Sequence, residues 1–180
     1  MEKILFKEEQ KFTQWWIWLL LLAAFGIAIG PQWYGLFQQV TTGQLWGDNP
    51  ASNEVLALTA SLTTLMMVGI LLLVKTVTLQ VKIHENGISF RYPPLVRKWR
   101  SIARAEIERY EVGKYRPVKR YGGWGIRYGF GKSGKAYTVT GRTGLKLIMK
   151  NGKTILLGTQ RAQAISYAMG KMMKKSTSPD

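Results

Sequence analysis

The sequence has no cysteine and a single histidine, His84. The first absence excludes a disulfide framework, a thiolate nucleophile, an iron–sulfur cluster and every Cys-based zinc site, and the second removes most histidine clusters that hold metals. Acidic residues are also scarce. Ten Asp and Glu stand against 26 Lys and Arg in 180 residues, a formal net charge of +16. A surface that basic attracts anionic lipid headgroups or nucleic acid. The length allows one ordinary domain plus a small addition, which excludes a large multidomain enzyme.

Charge is missing altogether from two blocks. Residues 55–74 (VLALTASLTTLMMVGILLLV) are twenty positions without a charge or a proline. At about 1.5 Å per residue they reach roughly 30 Å, the thickness of a bilayer core, and are expected to form a transmembrane helix. The run 15–29 has only fifteen residues, which by itself also suits a buried core helix or a signal-peptide h-region. Its flanks separate these readings. Lys3, Lys7 and Lys11 are balanced by Glu2, Glu8 and Glu9, unlike the basic n-region of a secretory signal. Past Pro31 the sequence continues with Trp33, Tyr34, Leu36 and Phe37, so the embedded part is expected to cover about residues 15–37. Trp15, Trp16 and Trp18 then belt one interface and Trp33 and Tyr34 the other. The two spans make a helical hairpin.

The segment between the spans, residues 35–54, has no Lys or Arg, whereas residues 1–14 have three and residues 75–180 have twenty-three, starting at Lys75. The positive-inside rule therefore puts both termini in the cytoplasm. Gly26 and Gly30 are spaced G-x-x-x-G, and the second span offers Ala57, Ser61 and Thr64. Close packing of the two spans through these small residues is expected ahead of a dimer interface, with a homo-oligomer left open. No Asp, Glu, Lys, Arg or His lies within either span, which argues against a transporter or channel.

Residues 76–175 read as mostly β. Val77, Leu79, Val81 and Ile83 alternate with Thr78, Gln80, Lys82 and His84, and Ile88, Phe90 and Tyr92 alternate with Ser89 and Arg91. Asn86-Gly87 between them predicts a tight hairpin, and Asn151-Gly152 predicts another between strands at 145–150 and 153–158. Weaker strands are expected at 107–115, 124–130 and 136–140, with a turn or bulge at Gly122-Gly123, giving seven in all. From Gln160 to Lys174 the period becomes helical, with Thr159 as N-cap and Lys171, Lys174 and Lys175 suited to the C-terminal end. Residues 176–180 are expected to be a flexible tail. The organisation is thus a cytoplasmic arm and two spans over residues 1–75, a β domain over 76–175, and the tail.

Several ordered motifs accompany this pattern: Phe6, Glu8, Gln10, Phe12, Trp15 and Trp16 in the arm, Tyr-Gly-Gly-Trp-Gly-Ile-Arg at 121–127, the segment 134–141, and 157–160. With them the chain resembles bacterial two-span membrane proteins that carry a pleckstrin-homology-like cytoplasmic domain, a family of uncharacterised activity. The resemblance covers nearly the whole chain. It implies an α+β membrane protein, with a seven-stranded PH-like sandwich or barrel closed by a C-terminal helix after the transmembrane hairpin. PH domains that hold phosphoinositides use basic residues in the first hairpin loop. Here that loop, residues 84–87, has neither Lys nor Arg.

Residues 129–134 fit G-x-G-x-x-G, and reading on gives G-x-x-x-x-G-K followed by Ala136 where a Mg²⁺-binding Ser or Thr is required. Such loops open a helix, whereas residues 136–140 alternate like a strand, so a glycine hairpin turn is the better reading. Glu106, Glu108 and Glu111 sit among Arg104, Arg109 and Lys114, which suits solvated charge pairs. No catalytic residue, metal or cofactor is expected. The basic cluster Arg97, Lys98, Arg100 and Arg104 around Trp99, together with Lys75, is the candidate contact to anionic lipid.

The function expected is a membrane-anchored binding or scaffolding module that contacts protein partners, anionic lipid or both. The alternative is a tethered nucleic-acid binder, with Trp124, Tyr128 and Tyr137 stacking bases among Arg127, Lys132 and Lys135. Attachment to a membrane makes nucleic acid the less favoured partner.

Overall fold

The computed structural model describes residues 3–174, without the side chain of Lys132. Lys175 and the tail 176–180 lie outside the described residues. The chain divides into two compact units, residues 14–75 and residues 1–13 with 76–180. It is α+β, with two long apolar helices in the first unit and two β-sheets in the second.

In the first unit, α1 spans Trp15–Thr42 and α2 spans Asn53–Thr76. Both are long and apolar enough to cross a membrane, and only 6% of the most apolar stretch of each is buried. The sequence predicts 15–37 and 55–74; each helix runs further. α1 continues to Thr42, with the Thr41 and Thr42 hydroxyls donating back to the Phe37 and Gln38 carbonyls, and Gly43 ends it in the left-handed conformation. Trp15 is 75% exposed at its start, and Trp16, Trp33 and Tyr34 are also exposed, with Trp18 half-buried.

On α1 the helices meet through a face other than that of Gly26 and Gly30, whereas Thr64 on α2 takes part as expected. Gly26 and Gly30 are exposed, and a Cβ added to either would meet nothing within 4 Å. Contact runs through Gln32 and Trp33, which donate to the hydroxyls of Thr63 (3.5 Å) and Thr64 (3.1 Å), with Ala60 fully buried. Gln39, buried near the end of α1, donates to Ala51 O at 3.1 Å and Asn53 Oδ1 at 2.8 Å and accepts from the Trp46 N–H at 3.0 Å, fixing the connecting loop. Polar side chains decide the pairing because an unsatisfied amide in an apolar setting costs several kcal/mol, roughly, while small-residue contacts add little each.

Nine strands form among the described residues where the sequence predicts seven. One sheet has the order β1 (Ile4–Lys11), β2 (Thr78–His84), β3 (Gly87–Tyr92), β4 (Val96–Ala103), all antiparallel. The other has the order β5 (Ile107–Lys114), β8 (Thr143–Met149), β9 (Thr154–Gly158), β7 (Lys135–Thr138), β6 (Gly125–Tyr128), with β7 and β9 parallel. The two unpredicted strands are β1 and β4. The arm is therefore not separate from the β module: Lys11 pairs with Thr78 and Glu8 with Val81, so the two strands that flank the helical unit in sequence are neighbours in one sheet.

The inner faces of both sheets supply the core, including Leu79, Val81, Ile83, Phe90, Leu145, Leu147 and Leu157. Tyr92 donates from inside it to Thr138 O at 3.0 Å, and burial pushes its hydroxyl pKa up, so it stays a neutral donor. The C-terminal helix, Ala162–Lys174, closes the core with Ile165, Ala168, Met169 and Met172 at helical spacing. A short helix, α3 (Pro117–Tyr121), precedes β6, so this C-terminal helix is α4. α4 begins later than predicted. Thr159 accepts the Arg161 N–H at 3.1 Å, two residues on, and does not stand next to the first helical residue.

The turn glycines serve different needs. Gly152, at φ +76, makes the predicted turn between β8 and β9 with Asn151, whose side chain accepts the Lys153 N–H. Gly122, at φ +67, is the left-handed cap of α3, followed by Gly123. Gly87 instead lies in β3 at an ordinary φ: its hairpin forms as predicted, but the glycine is required because a Cβ there would overlap the Ile102 carbonyl on β4.

Candidate functional site

The predicted lipid-contact cluster is dispersed by its secondary structure. On β4, whose pairing with β3 is irregular between Val96 and Arg100, Trp99 and Arg100 point to opposite faces. Trp99 is held between two cations, with Lys82 Nζ 4.4 Å and Arg91 Cζ 4.7 Å from its ring. Arg104 is turned to the end of α4, donating to Met173 O at 2.6 Å. Arg97 and Lys98 are exposed, and Lys75 occupies the last turn of α2 in the other unit.

Arg100 goes elsewhere. Its register partner is Phe90, a core residue, so its side chain emerges on the inner side of the first sheet at that sheet's open edge. There Nη1 donates to the Tyr137 hydroxyl at 2.9 Å. Tyr137 is 1% exposed and packs on Phe90 with ring centroids 4.8 Å apart. From the same side of the second sheet, Lys135 reaches over the Tyr137 ring at 5.4 Å and the Tyr128 ring at 4.8 Å. Its Nζ donates to the Tyr128 hydroxyl at 3.2 Å, and that contact holds the ammonium above the ordinary lysine pKa.

These groups line a cleft of about 1310 Å³ between the edges of the two sheets. Arg109, Lys146 and Lys153 add three more cations, and Phe90, Ile102, Ile148 and Ile155 form an apolar floor. None of its described lining residues is acidic. Glu111 stands beyond it and pairs with Lys146 at 3.4 Å and Arg109 at 3.9 Å, both contacts exposed and weak. Among the described residues no carboxylate pairs with Arg100, Lys135 or Lys153. A concave surface lined by one sign of charge focuses its potential, which suits it to an anion. A second cleft of about 860 Å³ beside α3 is also basic, with Arg116, Lys119 and Arg120, but it includes Glu111 and has the smaller apolar share.

The sequence singles out Arg100, Lys135, Tyr128 and Tyr137 but assigns them to two different sites. It gives no reason to join them, or to add Arg109, Lys146 and Lys153, because the cleft draws on seven strands. As base-stacking platforms the predicted aromatics fail in part. Tyr137 is buried, Tyr128 is exposed with the Lys135 ammonium 4.8 Å from its ring, and the Trp124 indole N–H donates to Gly141 O at 2.8 Å.

The near-match to nucleotide-binding loops is explained by packing. Residues 131–133 form one 3-10 turn and β7 follows at Lys135, so no helix opens there. Gly129 abuts Tyr121 and Ser133. Gly134 combines φ +72 with a position where a Cβ would overlap the Thr154 carbonyl oxygen. Gly134→Ala should accordingly lower stability by about 3 kcal/mol, and Gly131→Ala, at φ +61 but in open space, by only about 1 kcal/mol. Thermal melts of the two variants check this; equal losses would contradict the packing explanation. No protein-family model, curated protein or solved structure matches the chain.

Proposed function

We propose that this protein is a two-span membrane protein whose β module works at the cytoplasmic face of a bacterial inner membrane, binding anionic groups and protein partners without catalysis. The observation that carries the binding reading is the inter-sheet cleft, where Arg100, Lys135 and Lys153 converge without a carboxylate partner among the described residues. Like charges gathered around a partly apolar floor repel one another, and an anion relieves that repulsion.

The membrane reading rests on α1 and α2, which bury few of their apolar side chains and expose many of the large ones. Water tolerates scattered apolar side chains but not two whole helices of them, whereas lipid does. The pairing of β1 with β2 supports a hairpin, because a chain that crosses twice returns to the side it left. The charge distribution favours the cytoplasm as that side. Two sheets followed by one C-terminal helix support a PH-like module, with β1 and β4 extending the expected set of strands.

The full-length protein should stay in the membrane pellet after an alkaline carbonate wash. A fluorescent protein fused after Asp180 should be bright and alkaline phosphatase at the same position inactive, because the first folds in the cytoplasm and the second outside it. An active phosphatase fusion, or release of the protein by carbonate, would overturn this reading.

A further inference from the structure

Resting on the cleft as the binding site, we infer that its ligand is a phosphate ester carrying an apolar group. The cations come from three separate places: Arg100 from β4, Lys135 from β7 and Lys153 from the turn between β8 and β9. A ligand that meets all three must present anionic oxygens in several directions. The three terminal oxygens of a phosphate monoester do so with close to two charges, whereas a carboxylate offers two coplanar oxygens and one charge. The Arg100 fork suits such a group, and its bond to the Tyr137 hydroxyl fixes the guanidinium in place beforehand.

Size supplies the second half of the inference. A cleft of about 1310 Å³ is far larger than a phosphate group needs, and besides its cations it presents an apolar wall of Phe90, Ile102, Ile148 and Ile155. That wall gains from an apolar substituent and nothing from a second charged one. Lys135 stays protonated beside Tyr128 across the physiological range, so the site keeps its charge.

The test is calorimetric titration of the full-length protein in a neutral detergent. Phenyl phosphate and short-chain dihexanoyl phosphatidic acid are the probes, and inorganic phosphate, phenyl sulfate and benzoate the comparisons. At least one of the two esters should bind saturably and at least tenfold more tightly than every comparison. Lys135→Gln and Lys153→Gln should each weaken it about tenfold, while Arg97→Gln with Lys98→Gln, which removes more charge from outside the cleft, should leave it within twofold. Binding of phosphatidic acid alone identifies a lipid headgroup as the source, and binding of phenyl phosphate a soluble ester. Equal binding of benzoate or phenyl sulfate would overturn the phosphate assignment and leave the binding module standing. Loss of binding in the Arg97/Lys98 variant to the same degree would overturn the cleft as the site. Absence of saturable binding by any anion would overturn both the ligand class and the binding reading it rests on.

Discussion

Replacing residues 13–76 with a four-residue turn should give a soluble, folded β module, whereas a fragment of residues 76–180 should fail to fold. Lys11 and Thr78 are paired across the β1–β2 ladder, so their Cα atoms are about 5 Å apart and a hairpin-sized link can join Phe12 to Val77. The fragment discards β1. It loses Phe6, buried in the core, and Gln10, whose side chain donates to Gly158 O at 2.7 Å. It also loses the Glu8 contacts and exposes the edge of β2. Removing a buried Phe costs about 3 kcal/mol and a buried, charged hydrogen-bond network about as much. Together these approach the whole stability of a domain of this size, roughly 5–15 kcal/mol. Circular dichroism and a cooperative melt distinguish the outcomes. A fragment that melts as cooperatively as the linked module would show that β1 adds nothing. The linked module should also sediment with anionic vesicles in preference to neutral ones, since it keeps every cation of the cleft.

Glu8→Ala should be the most damaging single polar substitution, lowering stability by about 3 kcal/mol and the melting temperature of the linked module by about 15 °C. Glu8 is only 7% exposed. It accepts the Thr159 hydroxyl at 2.6 Å on one oxygen and the Gln160 N–H at 2.8 Å on the other. One carboxylate on β1 thus satisfies the backbone just before α4, where free N–H groups and the positive end of the helix dipole gather. Alanine leaves the buried Thr159 hydroxyl and the part-buried Gln160 N–H without that acceptor. Glu8→Gln keeps one acceptor oxygen for the Gln160 N–H and turns its amide N–H to the Thr159 hydroxyl, which can accept, so it should cost about 1 kcal/mol. Thr159→Val combined with Glu8→Ala should cost less than the sum of the two single changes, because both remove the same bond. A loss under 0.5 kcal/mol for Glu8→Ala on the scale of ordinary surface changes would remove this staple from the account.

Glu8 also shows why part of the fold was hidden in the sequence. The buried face of β1 is Phe6, Glu8 and Gln10, two polar residues out of three, so its alternation does not read as apolar and polar. β4 is concealed for the opposite reason. It lies at a sheet edge with only Ile102 buried, and its Arg97, Lys98 and Arg100 read as a charge cluster before they read as a strand. Where one face is apolar throughout, as in β2 and β3, the strands and their hairpin were legible residue by residue. Gly26 and Gly30 mark the limit of a spacing motif: the G-x-x-x-G pattern is real, but Gln32, Trp33 and Gln39 have polar partners and set which face of α1 meets α2.

By itself the sequence determined the two long apolar helices, the basic charge, the C-terminal amphipathic helix and most strands, because each is a local periodicity or composition that neighbouring residues share. Only the tertiary structure decided that residues 4–11 return to pair with 78–84 and that Glu8 meets Thr159. It also decided that Arg100, Lys135 and Lys153 face one cleft. Those are contacts between residues far apart in the chain, and register and sheet order, which no local pattern carries, bring them together.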